Sequence, residues 1–123
     1  MNNATHLLRQ VHPAWIQAGR ATSQVFRPTP KDQNRLSVHD GDLITPQDAW
    51  RHFTEVLGCP SGGVLAVTVG ECCSRDLRAF SDPEPYPHHA VIDFGTLGRA
   101  DVERKSKQLK SDAEIRGWLY RPD

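Results

Sequence analysis

The mostly apolar run from Val64 to Val69 constrains the fold of this chain more than any other segment. It reads Val64-Leu65-Ala66-Val67-Thr68-Val69 and is rich in β-branched residues, which favour strands. Because no polar residues alternate with the apolar ones, such a strand suits a position that is covered on both faces. We therefore predict that this run is the central strand of a sheet.

A helix is predicted from about Pro46 to Leu57, before the apolar run. Thr45 suits the N-cap position, Pro46 suits the first helical position, and Gly58 lies just past the end. The apolar residues of the segment fall on one helical stripe, which we expect to face the core. They are Ala49, Trp50, Phe53, Val56 and Leu57. We expect the two aromatic rings to anchor this contact.

Three more segments have the composition of strands. Ala90–Phe94 resembles the Val64 run, and we expect these two to pair antiparallel around a long proline-rich loop. Thr22–Arg27 and Arg35–Val38 are predicted as shorter, more exposed strands, joined by the extended segment Pro28–Pro30.

The two ends of the chain are less regular. Thr5–Ala18 fits either a helix broken near Pro13 or a strand followed by a turn. A polar helix, single or divided, is predicted from about Arg99 to Arg116, with Gly117 as its stop. The segments together predict an α+β fold, in which two or three helices pack on four or five mostly antiparallel strands. At 123 residues, we expect one domain spanning 1–123.

The charge balance argues against polyanionic partners. Fifteen Lys and Arg residues offset fifteen Asp and Glu residues, so no overall field attracts the chain to nucleic acid or to an anionic membrane. The three cysteines include an adjacent pair, which is typical of a reduced, cytoplasmic protein. With neither an export signal nor a long apolar segment, we expect a cytoplasmic protein without a membrane contact.

Two histidines and two cysteines are of the types that bind zinc. Cys72 is adjacent to Cys73, and His88 is adjacent to His89, whereas zinc sites separate their cysteines by two to four residues. Neighbouring residues of a strand point to opposite faces, so both members of a pair reach one ion only with difficulty. A thiol nucleophile with a histidine base rests on chain order alone. We therefore expect no metal site and no other cofactor.

The best candidate for a functional segment is the polar run from Arg20 to Asp32. Residues 9 to 35 hold five basic side chains against the single acid Asp32. We expect a non-catalytic binding module of a bacterial type that engages a protein partner or a small anionic ligand through this segment. The expected binding residues are Arg20, Ser23, Arg27, Lys31 and Asp32. A homodimer is compatible with this interpretation.

A small enzyme acting on a nucleotide-like substrate is the alternative. The order Arg9, then Thr22 and Ser23, then Glu71 loosely resembles the ADP-ribosyltransferase type of site. That resemblance implies catalytic roles for Arg9, Ser23 and Glu71, and His12 is a further candidate. Convergence of His12, Arg20, Ser23 and Asp32 in one concave pocket would favour the enzyme, whereas their dispersal over a convex face would favour a partner surface.

Overall fold

The computed structural model describes residues 1–122 and has an α+β architecture. Five strands form one antiparallel sheet, and two short strands form a separate ribbon. The sheet strands are β1 (His6–Gln10), β4 (Arg35–Asp40), β5 (Val64–Thr68), β6 (Arg78–Ser81) and β7 (His89–Asp93), and the ribbon strands are β2 (Ile16–Gln17) and β3 (Arg20–Ala21). The sheet order is β5-β1-β4-β7-β6. The predicted fold class is confirmed.

Three α-helices and several single turns connect or cover the strands. The helices are α1 (Pro46–Arg51), α2 (Val69–Ser74) and α3 (Arg99–Arg116). A π-helical turn, His52–Val56, continues α1, and 3-10 turns lie at Pro13–Trp15, Ser23–Phe26 and Pro30–Asp32. Within residues 1–122, no helix combines the length and the apolar character that crossing a bilayer requires.

The two faces of the sheet carry different cores. The larger core lies on the face covered by α3 and by the Ser23–Phe26 turn, which pack on each other. A smaller cluster on the opposite face joins Leu8 and Ala66 of the sheet to Ala49 of α1. Because both faces are covered near β1 and β5, each of these strands buries side chains on both faces.

The apolar Val64 run is an edge strand, so its predicted central position is wrong. β5 pairs with β1, and β7 pairs with β4 and β6, so the expected pairing of β5 with β7 is also wrong. An edge strand can be apolar over Val64–Val67 here because helices cover both of its faces. Its outer edge is partly closed as well, since Val64 and Tyr120 form an antiparallel bridge.

Two predictions for segments that precede α1 are also wrong. Thr22–Arg27 is not a strand; it forms the Ser23–Phe26 turn, which buries Val25 and Phe26 completely. β4 is the middle strand of the sheet, so Arg35–Val38 is neither short nor peripheral. Thr5–Ala18 was expected to be either a broken helix or a strand followed by a turn. The structure shows the second, with β1 followed by the Pro13–Trp15 turn.

The helix predicted from Pro46 begins as expected and ends differently. Thr45 Oγ1 accepts a hydrogen bond of 3.2 Å from the amide of Asp48, which confirms the N-cap. The π-helical turn then carries more residues per turn, so the apolar stripe rotates away from the sheet. Val56 and Leu57 are consequently 70% and 43% exposed. The prediction for Arg99–Arg116 is confirmed as one continuous helix, α3.

Replacing Trp50 by Ala should destabilise the fold strongly. Its half-buried indole packs 5.4 Å from Tyr120, centroid to centroid, and its Nε1 donates a 3.0 Å hydrogen bond to the carbonyl of Ser61. We expect a loss of about 3 kcal/mol in the free energy of unfolding, measured by urea denaturation. Trp50→Phe keeps most of the packing and should lose only about 1 kcal/mol. An unfolding midpoint for Trp50→Ala equal to that of the parent chain would contradict this packing.

Candidate functional site

A half-open cavity of about 680 Å³ lies where the polar run meets the start of α3. One wall comes from the segment Arg27–Asn34, another from the loop Gly95–Leu97, and the third from the first turn of α3. Pro28, Leu97 and Val102 make much of the lining apolar, while Arg27 and Arg99 add positive charge. The cavity is therefore amphipathic, as small-molecule sites commonly are.

Partly buried Arg9 ties the first wall of this cavity to the sheet. Its Nε donates a 2.7 Å hydrogen bond to the carbonyl of Val25, and one terminal nitrogen donates a 2.9 Å bond to the carbonyl of Ser37. Burial lowers the pKa of Arg9 to about 10, so the side chain still carries its charge at neutral pH. The Ser23–Phe26 turn is thus tied to the sheet, and Arg27 follows directly from it.

Asn34 joins the first wall to the second. Its side-chain amide donates hydrogen bonds of 3.2 Å to the carbonyl of Gly95 and 3.4 Å to that of Leu97. Gln33 and Asn34 both adopt left-handed backbone conformations, with φ of 58°, which reverses the chain into β4. Asparagine tolerates this conformation better than most residues. The cavity shape therefore depends on a local turn and on two long-range hydrogen bonds.

Two arginines at the cavity share one carboxylate. The closest guanidinium nitrogens of Arg27 and Arg99 lie 3.9 Å and 3.6 Å from the same oxygen of Glu103. Both distances exceed an ordinary hydrogen bond. Among the residues described, Nε of Arg27 is buried without a hydrogen-bond partner. The two cations are consequently not neutralised by one acid, and their donors are incompletely used.

The start of α3 adds further donors at the edge of the cavity. Gly98 is the N-cap and supplies no side-chain hydrogen bond to the helix. The first amide N–H groups of an α-helix have no partners inside the helix, and they favour anions. Asp101 is the acid of this first turn, and its carboxylate lies 3.0 Å from Arg104. Arg99 is unexpected at a helix start, where the helix dipole disfavours a cation.

The other residues expected to bind are spread over different surroundings. Arg20 makes a two-point hydrogen bond with Glu114, at 3.0 and 3.3 Å, beside a separate recess of about 70 Å³. Ser23 begins the 3-10 turn and is half-buried, while Lys31 is exposed. Asp32 accepts a 2.8 Å hydrogen bond from the hydroxyl of Thr29. The structure thus brings Arg27 to the larger cavity and Arg20 to the smaller one.

Residues assigned to the alternative catalytic role have structural partners. Nδ1 of His12 accepts a hydrogen bond from the amide of Ala14 and caps the Pro13–Trp15 turn. Glu71 forms a capping box with Thr68 at the start of α2, and its carboxylate accepts 2.9 and 3.1 Å bonds from Arg116. These bonds lower the pKa of Glu71, whereas burial opposes the shift. Arg9 is held by backbone carbonyls, as described above.

The cysteine and histidine pairs considered for zinc lie in different environments. Cys72 is buried in the larger core, and burial raises its thiol pKa to about 12, which disfavours a thiolate nucleophile. His88 and His89 lie instead beside His39 on the opposite face of the sheet. Across residues 1–122, no three His, Cys, Asp or Glu side chains form a group suited to a metal ion.

Several residues of the cavity escaped the sequence analysis. Arg99 and Glu103 lie some seventy positions after Arg27, so no local pattern connects them to it. The available signal was Arg99 itself. It places a cation at the start of the predicted helix, where the helix dipole favours an acidic residue. Asn34 carried the weaker signal of a residue tolerant of a left-handed turn.

Comparison of the chain with protein-family models, with curated proteins and with solved structures finds no match.

Metal chelation should leave the fold unchanged. His39, His52 and His88 pack against aromatic rings, and Nδ1 of His89 lies 2.9 Å from the carbonyl of Asp82. Proteins with structural zinc, in contrast, unfold when the ion is removed. We expect the same melting temperature with and without EDTA, measured by circular dichroism. Stoichiometric zinc by elemental analysis, together with unfolding in EDTA, would contradict this expectation.

Proposed function

We propose that this chain is a binding module for a small anionic ligand, and that the ligand occupies the cavity between Arg27 and the start of α3. The shared carboxylate of Glu103 carries this proposal, because it leaves one net positive charge between Arg27 and Arg99. Guanidinium groups bind carboxylates and phosphates through paired, charge-assisted hydrogen bonds. The terminal guanidinium nitrogens of Arg27, the closest of which lies 3.9 Å from Glu103, are therefore available for that contact.

The apolar walls define what the rest of the ligand should be. Pro28, Leu97 and Val102 line the cavity beside the two arginines. A bare inorganic ion would leave this apolar surface in contact with water, whereas a ligand with an apolar body would cover it. We therefore expect an organic phosphate or carboxylate to bind more tightly than inorganic phosphate.

The cellular setting is a further part of the proposal. Cys59, Cys72 and Cys73 are free thiols, and Cys73 is exposed. Free exposed thiols persist best in a reducing compartment, which supports a cytoplasmic location. The cavity needs only one chain, so the proposed binding does not depend on a protein partner or on a homodimer.

Arg27→Ala should weaken binding of phenyl phosphate at least tenfold, measured by isothermal titration calorimetry. The variant removes a partly buried donor from the cavity, whereas Lys31→Ala removes the same charge from an exposed position outside the cavity lining. Lys31→Ala should therefore bind like the parent chain. Surface ion pairs contribute roughly 0 to 1 kcal/mol, so both variants should melt within a few degrees of the parent.

Three results would contradict this proposal. Equal losses of affinity in Arg27→Ala and Lys31→Ala would indicate a general charge effect, not a site. Binding that is unchanged in Arg27→Ala would remove the cavity from the proposal. Inorganic phosphate bound as tightly as phenyl phosphate would contradict the role of the apolar walls.

A further inference from the structure

Four histidines and a tyrosine pack together on the sheet face opposite to the anion cavity. This histidine cluster comprises His39 of β4, His52 of the π-helical turn, Tyr86 and His88 of the β6–β7 loop, and His89 of β7. The His88 ring centroid lies 5.2 Å from that of His39 and 4.6 Å from that of His52. The cluster thus joins the helical segment 46–56 to the sheet and to the loop.

The hydrogen bonds of the cluster suit neutral rings. Nε2 of His39 lies 3.2 Å from the side-chain nitrogen of Gln10, which satisfies one ring nitrogen. Within residues 1–122, Nδ1 of His39, Nδ1 of His52 and Nε2 of His88 are buried without hydrogen-bond partners. Protonation of His39 would place an N–H on Nε2, facing the N–H donor of Gln10, and would bury a positive charge beside the ring of His88.

The charges around His39 also oppose its protonation. His39 faces His88, His52 and His89, and Arg9 of β1 adds a permanent positive charge. Tyr86 is the remaining titratable group in ring contact with the histidines. Burial raises the pKa of its hydroxyl, and the nearby Cys59 thiol raises it further. The carboxylate found beside these rings within residues 1–122 is that of Asp82, 3.3 Å from His89, and it does not contact the three rings with unpaired nitrogens.

The ring geometry of the cluster does not suit a metal site. The planes of His39 and His88 lie 25° apart in a stacked contact, which directs their in-plane lone pairs side by side instead of toward one point. The described residues accordingly provide no group of three donors for an ion.

We propose that the histidine cluster is a proton-operated latch, which holds segment 46–56 on the sheet at neutral pH and releases it on acidification. In the closed form, burial and neighbouring histidines lower the pKa of His39 to about 3 and also lower that of His88. Opening returns each ring to an ordinary pKa near 6.5. The open form therefore binds more protons below pH 6.5, so the latch is closed above that pH and weakens as the pH falls through it.

Hydrogen exchange of the full chain at pH 7.5 and pH 5.5, corrected for the intrinsic rate, tests the latch. At pH 5.5 each freed histidine favours the open form about tenfold, so two should lower the protection of segment 46–56 by up to about a hundredfold. Protection of α3 should change much less, because α3 packs on the other face. Equal losses in both regions, or no loss in segment 46–56, would overturn the proposal.

A matched pair of variants assigns the effect to the cluster. His88→Phe keeps a ring in the half-exposed position but cannot take a proton, so the pH effect on segment 46–56 should fall about tenfold. His6→Phe changes an exposed histidine of β1 outside the cluster, and its pH effect should equal that of the parent chain. An undiminished effect in His88→Phe would overturn the proposal.

If His88→Phe fails to fold, nuclear magnetic resonance titration of the parent chain gives the answer. The ring protons of His39 and His88 should titrate below pH 6.5, whereas titration at or above that value would overturn the latch.

Discussion

The guanidinium of Arg9 is the contact on which the described cavity depends. It lies between the middle of the sheet and the Ser23–Phe26 turn, and it donates to one carbonyl on each side. A buried cation is costly unless its donors are satisfied, and here two backbone carbonyls and the ring of Trp15, 5.5 Å away, compensate for that cost. This contact connects the sheet directly to the turn that positions Arg27.

The anion cavity and the histidine cluster lie on opposite faces of the sheet. Alternating residues of β4 send Leu36 and Val38 into the larger core, whereas His39 belongs to the opposite face. One face therefore supports α3 and the anion cavity, and the other supports the segment 46–56 with its neutral histidines. The two proposals concern opposite faces, and the loss of one would not imply the loss of the other.

Local signals in the sequence predicted the elements better than their arrangement. The caps at Thr45 and Gly117 and the polar pattern between Arg99 and Arg116 depend on neighbouring residues, so the start of α1 and the two ends of α3 were predictable, although the continuity of α3 was not. Strand order depends on distant pairings, and an apolar run looks the same at a covered edge as at the centre. The exposure of Val56 and Leu57 required the π-helical turn, for which composition gives no signal.

The candidate site was predictable to a similar extent. A dense basic run identified Arg27, because charged residues in loops are frequent binding residues. Sequence could not show that Arg20 would pair with Glu114, while Arg27 would share Glu103 with Arg99, since both acids lie on the distant α3. It also could not bring His52 beside His88, because the two belong to separate elements that meet only in the folded chain.

The most direct test of the cavity assignment is a titration of the isotope-labelled chain with phenyl phosphate, followed through its backbone amide resonances. The account predicts saturable shifts confined to Arg27–Asn34, to the loop Gly95–Leu97 and to the first turn of α3, with the amides of the helix start among the largest. Saturable shifts centred instead on Arg20 and Glu114, or the absence of saturable shifts at millimolar probe, would contradict it.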